Sequence, residues 1–173
     1  MIKFFNELPV SELAKIATLH FNHWRPVNSA LTLEGKIEEF TTEYARHSDK
    51  LPCGFAMYNA RFDKNSGGHD GGCGGDEQTP ELVGFCRLKI LNLREYPELR
   101  PWISSVFVLK PHCGYGARLV STACDTLKRM GYKEVYVYTD RAPGFYKKLG
   151  FEYLREAVKN DGGRAELFRK SLL

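Results

Sequence analysis

The sequence has no apolar run near the roughly 18 residues that a membrane-crossing helix needs, and its first residues, Met1-Ile-Lys-Phe-Phe-Asn-Glu7, reach acid too early for a secretory leader. Neither a membrane span nor export is expected. The five cysteines (Cys53, Cys73, Cys86, Cys113 and Cys124) are odd in number and show no C-x-x-C spacing. That argues against a disulfide framework and against a zinc site, so no metal and a reducing, cytoplasmic or nuclear setting are expected. No Lys/Arg-rich run occurs and the net charge is only +4, which speaks against nucleic acid and leaves room for an anionic ligand. Two common phosphate signatures are also missing. Nothing matches G-x-x-x-x-G-K-[ST], and the third small residue of a dinucleotide fingerprint would fall at Leu119. There is no internal repeat.

What remains is a globular composition, 43% hydrophobic and 27% charged over 173 residues, enough for one domain spanning residues 1–173 with a substantial core. Its organising stretch runs from Val106 to Val120. Val106-Phe-Val-Leu109 reads as a strand, Gly114 and Gly116 mark a tight turn, and Leu119, Val120, Ala123, Leu127 and Met130 fall at helical spacing. A strand, a glycine turn and a helix N-terminus make an anion cradle. First-turn N–H groups lack intrahelical partners, the helix dipole is positive there, and glycine lets a phosphate approach the backbone. A G-x-G alone is equally compatible with a strand-to-helix turn that needs unusual dihedrals.

Read in order, the chain predicts a strand at 2–5 and a helix at 9–24 with Leu13, Ile16, Ala17, Phe21 and Trp24 on one face. Arg25-Pro26 breaks that helix. A second helix is expected at 31–48, striped by Leu33, Ile37, Phe40 and Tyr44, and a strand at 52–59. Residues 65–78 carry six glycines and predict a flexible loop, set within about 63–80; His69, Asp70 and Cys73 in it are poor support for a metal site. Strands follow at 81–91 and 102–109, a helix ending at Gly131, a strand at 132–138, and a short helix at 141–149 with Asp140 as its N-cap. Strands at 151–156 and 164–170 flank a turn at 160–163. The order β-α-α-β-β-β-α-β-α-β-β predicts a mixed α/β sheet.

Three features together resemble the GNAT superfamily of N-acetyltransferases: the element order, Pro111-His-Cys-Gly-Tyr-Gly116, which is similar to the family loop R/Q-x-x-G-x-G/A, and Thr139-Asp-Arg-Ala-Pro-Gly-Phe-Tyr-Lys-Lys-Leu-Gly-Phe151, which is similar to N-x-x-A-x-x-x-Y-x-x-x-G-F. The match covers roughly residues 82–156. The departures are Pro111 for Arg/Gln, Thr139 for Asn, and a loop about two residues short; Lys110, Arg118 and His112 are available to compensate. The resemblance implies a central twisted sheet of about seven strands flanked by about four helices. It also implies direct acetyl transfer from acetyl-CoA, as co-substrate, to a primary amine on a protein N-terminus, a lysine or a small molecule. The assembly is expected to be a monomer or weak dimer.

The same resemblance implies site residues. Backbone groups of Phe107, Val108 and Leu109 would hold the pantetheine in a gap where this strand splays from its neighbour. His112, Cys113, Gly114, Tyr115, Gly116 and Ala117 would hold the pyrophosphate, joined by Thr139, Ala142 and Tyr146. Tyr146 aligns with the tyrosine that protonates the leaving thiolate, and a phenol with a pKa near 10 keeps its proton at neutral pH. No acid lies on 102–110 to serve as base; Ser104 and Ser105 could hold a water, Tyr138 could relay a proton, and His20 and His23 could face the acceptor. The Trp24 segment, Gly84-Phe-Cys-Arg-Leu88 and Phe145–Phe151 resemble a subgroup that acetylates the N-terminus of actin, which places Trp24, Arg25 and Arg87 toward the acceptor. The residues alone leave open a non-catalytic acyl-CoA-binding or sensing module.

Overall fold

A computed structural model describes residues 1–59 and 80–173. The glycine-rich 65–78 stretch lies outside the described residues. Among the described residues, seven strands form one mixed sheet: β1 (Ile2–Phe4), β2 (Cys53–Asn59), β3 (Glu81–Lys89), β4 (Trp102–Val108), β5 (Glu134–Thr139), β6 (Glu152–Val158) and β7 (Arg164–Ser171). Their order is β1-β2-β3-β4-β5-β7-β6. Every neighbouring pair is antiparallel except β4 and β5, which are parallel. The helices are α1 (Val10–Trp24), α2 (Leu33–Glu38), α3 (Tyr115–Arg129) and α4 (Pro143–Lys148).

The central strands are buried on both faces, which is why β2 and β3 are written as near-continuous apolar runs. Toward one face, Cys53, Phe55, Met57, Cys86 and Leu88 pack with Leu119, Val120, Ala123 and Leu127 of α3 and with Tyr146 and Phe151. Toward the other, Ala56, Tyr58 and Phe85 pack with Leu13, Ile16 and Ala17 of α1 and with Phe40 and Tyr44. Burying a side chain such as Leu13 or Ile16 contributes about 1.5–3 kcal/mol.

The buried stripe of α1 is Leu13, Ile16, Ala17 and His20. It therefore takes in His20, whereas Phe21 and Trp24, expected on the same face, are only half-buried, and the Arg25 guanidinium lies over the Phe21 ring, 5.6 Å from its centre. The second helix is shorter than its apolar stripe suggested. After Glu38 the chain winds as a π-helix over Glu39–Tyr44. The Thr41 hydroxyl donates to the Ile37 and Glu38 carbonyls and that of Thr42 to the Glu38 carbonyl. The widened turn keeps both Phe40 and Tyr44 fully buried.

Two irregularities shape the centre of the sheet. Arg87 pairs with Ser105 but Leu88 pairs with Ile103, so Ser104 is the extra residue of a β-bulge in β4. Beyond the bulge, β4 leaves β5: their parallel register consists of the single pair Trp102–Tyr136.

Candidate active site

The gap between β4 and β5 opens into a groove of about 790 Å³. At one end is the turn from β4 into α3. Gly114 caps α3 in the left-handed conformation, φ +76°, with no side chain bonding the first-turn N–H groups and no acid in the first turn. His112, at φ +63°, is the other left-handed residue of the turn. A Cβ on Gly114 would meet nothing within 4 Å, whereas one on Gly116 would lie 3.3 Å from Phe145 Cζ. The loop face is thus open at Gly114 and closely approached at Gly116, and a free helix N-terminus faces an anion-sized space. That geometry fits the pyrophosphate of a CoA-type ligand.

Of the residues expected on the cofactor side, Val108, His112, Gly114, Tyr115, Gly116, Ala117, Thr139, Ala142 and Tyr146 line the groove together with Ser104, Tyr138, Trp24 and Arg87. Phe107, Leu109, Cys113 and Arg25 are not among the lining residues. Alternation on β4 explains the first of these. Phe107 turns to the α1 side, 5.2 Å from the His23 ring and 5.2 Å from Phe85, while Val106 and Val108 face the groove. The Leu109 N–H is already bonded to the Val83 carbonyl at 2.9 Å. Cys113 is exposed. Thr139, not Asp140, serves the start of α4: its hydroxyl accepts from Arg141 and Ala142 N–H at 3.2 and 3.0 Å. The N-cap is Ala142, with Pro143 opening the helix, and the Asp140 carboxylate instead accepts from Lys159 at 2.9 Å. That bond, ahead of its other surroundings, holds the Asp140 carboxyl below the usual range.

The groove floor is a buried polar chain. Arg87 Nε and Nη2 donate to Ser105 Oγ, Arg87 Nη1 donates to Glu39 Oε1 at 2.9 Å, and Ser105 Oγ lies 3.4 Å from His20 Nε2. Lys36 bonds the other Glu39 oxygen. Burial would raise the Glu39 carboxyl, but Arg87 and Lys36 outweigh it and hold it below the usual carboxylate range. His20 is 3% exposed, stacked on Trp24 at 4.3 Å. Burial first, then the charges of Arg87, Lys36 and Lys89, push its pKa far down and keep it neutral. His23 is lowered by burial and then by Arg141. Tyr146 is packed by Phe145, Phe151 and Phe168, and burial, followed by Cys86, raises its phenol so that it keeps its proton. Burial likewise raises Tyr138.

Sequence reading missed the opposite end of the groove, lined by Lys36, Lys89, Asn92, Lys159 and Asn160. Asn160 closes it by accepting from Arg94 N–H at 3.1 Å and donating to the Asn92 carbonyl at 2.9 Å. Only the turn signal at 160–163 hinted at a hairpin here, and nothing local indicated that it folds back on 92–94.

Comparison with known proteins agrees with this geometry. Residues 33–151 match the model of the acetyltransferase (GNAT) family. No curated protein matches the chain. Among solved structures, the chain is similar to an aminoglycoside 6'-N-acetyltransferase complexed with coenzyme A, at 14% identity and TM-score 0.65, covering 100% of this chain and 97% of that one. It is also similar to Ard1 from Thermoplasma volcanium (13%, TM-score 0.62, covering 100% and 97%) and to the NatB acetyltransferase complex bound to CoA and MES (14%, TM-score 0.59, covering 100% and 99%). At these identities the likeness is one of fold.

Proposed function

Because the chain belongs to the acetyltransferase (GNAT) family, we propose that it moves the acetyl group of acetyl-CoA directly to a primary amine, with the α-amine of a protein N-terminus as the favoured acceptor. The observation that carries this reading is the single groove that joins an uncapped glycine turn to a polar far end through the gap between β4 and β5.

Acetyl-CoA supplies an acetyl group already activated as a thioester. The first-turn N–H groups of α3 take the pyrophosphate, with the dipole of a 15-residue helix behind them. Val106 and Val108 line the gap on β4, where backbone groups take the amides of the pantetheine arm. The Tyr146 hydroxyl, kept protonated by burial, donates to the departing sulfur.

Preference for an α-amine rests on the bases available. The carboxylates lining the groove among the described residues are Asp140 and Asp161, and Lys159 lies 2.9 and 3.7 Å from them. Glu39 behind the floor is engaged by Arg87 and Lys36. His20 is held neutral with a strongly lowered pKa and so is a weak proton acceptor. An acceptor amine must therefore arrive largely deprotonated. At about pH 7.5 an α-amine with a pKa of about 8 is neutral roughly 200-fold more often than a lysine at about 10.4.

The test is a panel of peptides with free N-termini, peptides with blocked N-termini and an internal lysine, and small amines, incubated with the purified chain and acetyl-CoA. Mass spectrometry then locates the acetyl group. Acetylation of α-amines is expected. Acetylation confined to lysine or small amines would overturn the N-terminal preference, and tight CoA binding without turnover on any amine would overturn the transferase reading in favour of a binding module.

A further inference from the structure

Four lysines line the groove: Lys36, Lys89, Lys110 and Lys159. Three are committed or out of place for chemistry. Lys36 is bonded to Glu39. Lys159 donates to Asp140 at 2.9 Å, and that bond raises its pKa and holds it charged. Lys110 stands beside Pro111 at the glycine-turn end, with 63% of its side chain exposed.

Lys89 differs from all three. It ends β3 opposite Trp102, two residues beyond Arg87, at the far end of the groove from the phosphate cradle. The carboxylate near it, Glu39, has one oxygen taken by Arg87 and the other by Lys36. Its Nζ lies 3.8 Å from Glu39 Oε1, beyond hydrogen-bond length. The ammonium is thus crowded by two other cations, sharing one carboxylate that is already engaged.

We propose that Lys89 is a self-acetylation site of this enzyme, modified by the acetyl-CoA bound in its own groove. The inference rests on the acetyltransferase reading above and extends its requirement that an acceptor amine be neutral to the chain's own residues. The groups facing Lys89 are Arg87 on β3, Lys36 on α2, and Glu39 and Glu43 on the π-helical turn. Burial first and then Arg87 lower its pKa, Glu39 raises it, Lys36 lowers it again and Glu43 raises it, with a net fall to about 8. At about pH 7.5 that leaves roughly 200-fold more neutral amine than an ordinary lysine holds.

In the step, the Lys89 Nζ lone pair forms a bond to the thioester carbonyl carbon, and the C–S bond breaks with its electron pair going to sulfur. The nitrogen loses one proton, and the sulfur of CoA leaves and takes up one, so no oxidant or further reactant is needed. The product is an uncharged acetamide. It removes one positive charge from the acceptor end and leaves Arg87 and Lys36 on Glu39.

The experiment uses the full chain with deuterated acetyl-CoA and no acceptor, followed by peptide mass spectrometry over time. Label is expected at Lys89 at least about tenfold faster than at Lys36, Lys110 or Lys159, with a first-order rate independent of protein concentration. Lys89→Arg should lose that label, and Gly116→Glu should slow it strongly. Equal labelling in Gly116→Glu, or a rate that scales with protein concentration, would overturn the proposal. A second readout needs no cofactor: competitive labelling with acetic anhydride across pH should give Lys89 a midpoint near 8, and a midpoint near 10.4 would overturn it. A protein that acetylates peptides but leaves Lys89 unmodified overturns this inference alone. One that acetylates no amine, Lys89 included, overturns the transferase reading as well.

Discussion

Arg87 and Ser105 face each other across the β3–β4 ladder, and the guanidinium donates to the Ser105 oxygen from both Nε and Nη2, at 3.3 and 3.2 Å. The same hydroxyl oxygen lies 3.4 Å from His20 Nε2. A single chain of contacts thus runs from Glu39 through Arg87 and Ser105 to His20. It ties the π-helical turn, β3, β4 and α1 together beneath the groove. Arg87, 4% exposed, is therefore a floor residue, with its guanidinium committed to Glu39 and Ser105.

Glu39→Gln leaves Arg87 buried without a counter-charge. A loss of about 3 kcal/mol at neutral pH is expected, the scale for breaking a buried pair from one side. The pH dependence has a definite sign. The folded Glu39 carboxyl is held low by Arg87 and Lys36 against the effect of burial, so its contribution is full above about pH 4.3 and fades as pH falls through the folded value. Urea titrations should show the gap between variant and parent shrinking at acid pH. A gap of equal size at pH 7 and pH 3.5 would contradict the assignment.

His20 predicts a second acid-side loss, at higher pH. Its folded pKa is depressed by burial and by Arg87, Lys36 and Lys89, so near and below about pH 6.5 the unfolded chain takes up a proton that the folded chain refuses. Stability is full above that pH and falls by up to about 1.4 kcal/mol per unit below it. His20→Gln, which does not titrate and can still reach Ser105, should show a shallower slope between pH 6 and 5. Parallel slopes would mean that His20 is protonated in the folded protein.

Much of this architecture was legible in the sequence, because strands and helices announce themselves through apolar period and glycine punctuation. The glycines at 114 and 131 have the positive φ their positions suggested. What escaped was of two kinds. The stripe Leu33, Ile37, Phe40 and Tyr44 suits an α-helix or a π-turn equally, and the π-turn that forms buries both Phe40 and Tyr44. Asp140 is a good N-cap residue in isolation, but Lys159, 19 positions away, captures it. The Glu39–Arg87 pair spans 48 positions, and no local pattern encodes such a contact. For the same reason the polar far end of the groove was invisible, while the glycine-turn end was written in one continuous stretch.

The cradle gives a third prediction. Gly114→Ala must hold a left-handed φ of +76°, so it should cost about 1 kcal/mol of stability, and its methyl would stand on the open face of the turn, so CoA affinity should fall as well. Gly116→Glu adds a bulky side chain and a negative charge to the first turn of α3, beside Phe145. CoA affinity by calorimetry should fall about 100-fold or more, roughly 2.7 kcal/mol. A folded Gly116→Glu chain with parental affinity would rule out this turn as the pyrophosphate site.

The last prediction concerns Tyr146. The ring is 9% exposed and packed edge-on by Phe145 and Phe151, with its residue anchored by Phe151 N–H donating to its carbonyl at 3.1 Å. Tyr146→Phe preserves all of that and removes only the hydroxyl. Burial keeps that hydroxyl protonated through the neutral range, the form that the proposed donation to the departing sulfur requires. The Phe variant should melt within about 1 kcal/mol of the parent and bind CoA nearly as well. Its chemical step should slow by about 10²–10⁴-fold. Single-turnover measurement isolates that step from product release. If the hydroxyl acts on the leaving group, a substrate analogue whose thiol leaves more readily should recover part of the lost rate in the variant while gaining less in the parent. A variant with parental single-turnover rates, or one with the same sensitivity to the leaving group as the parent, would reduce Tyr146 to a packing residue.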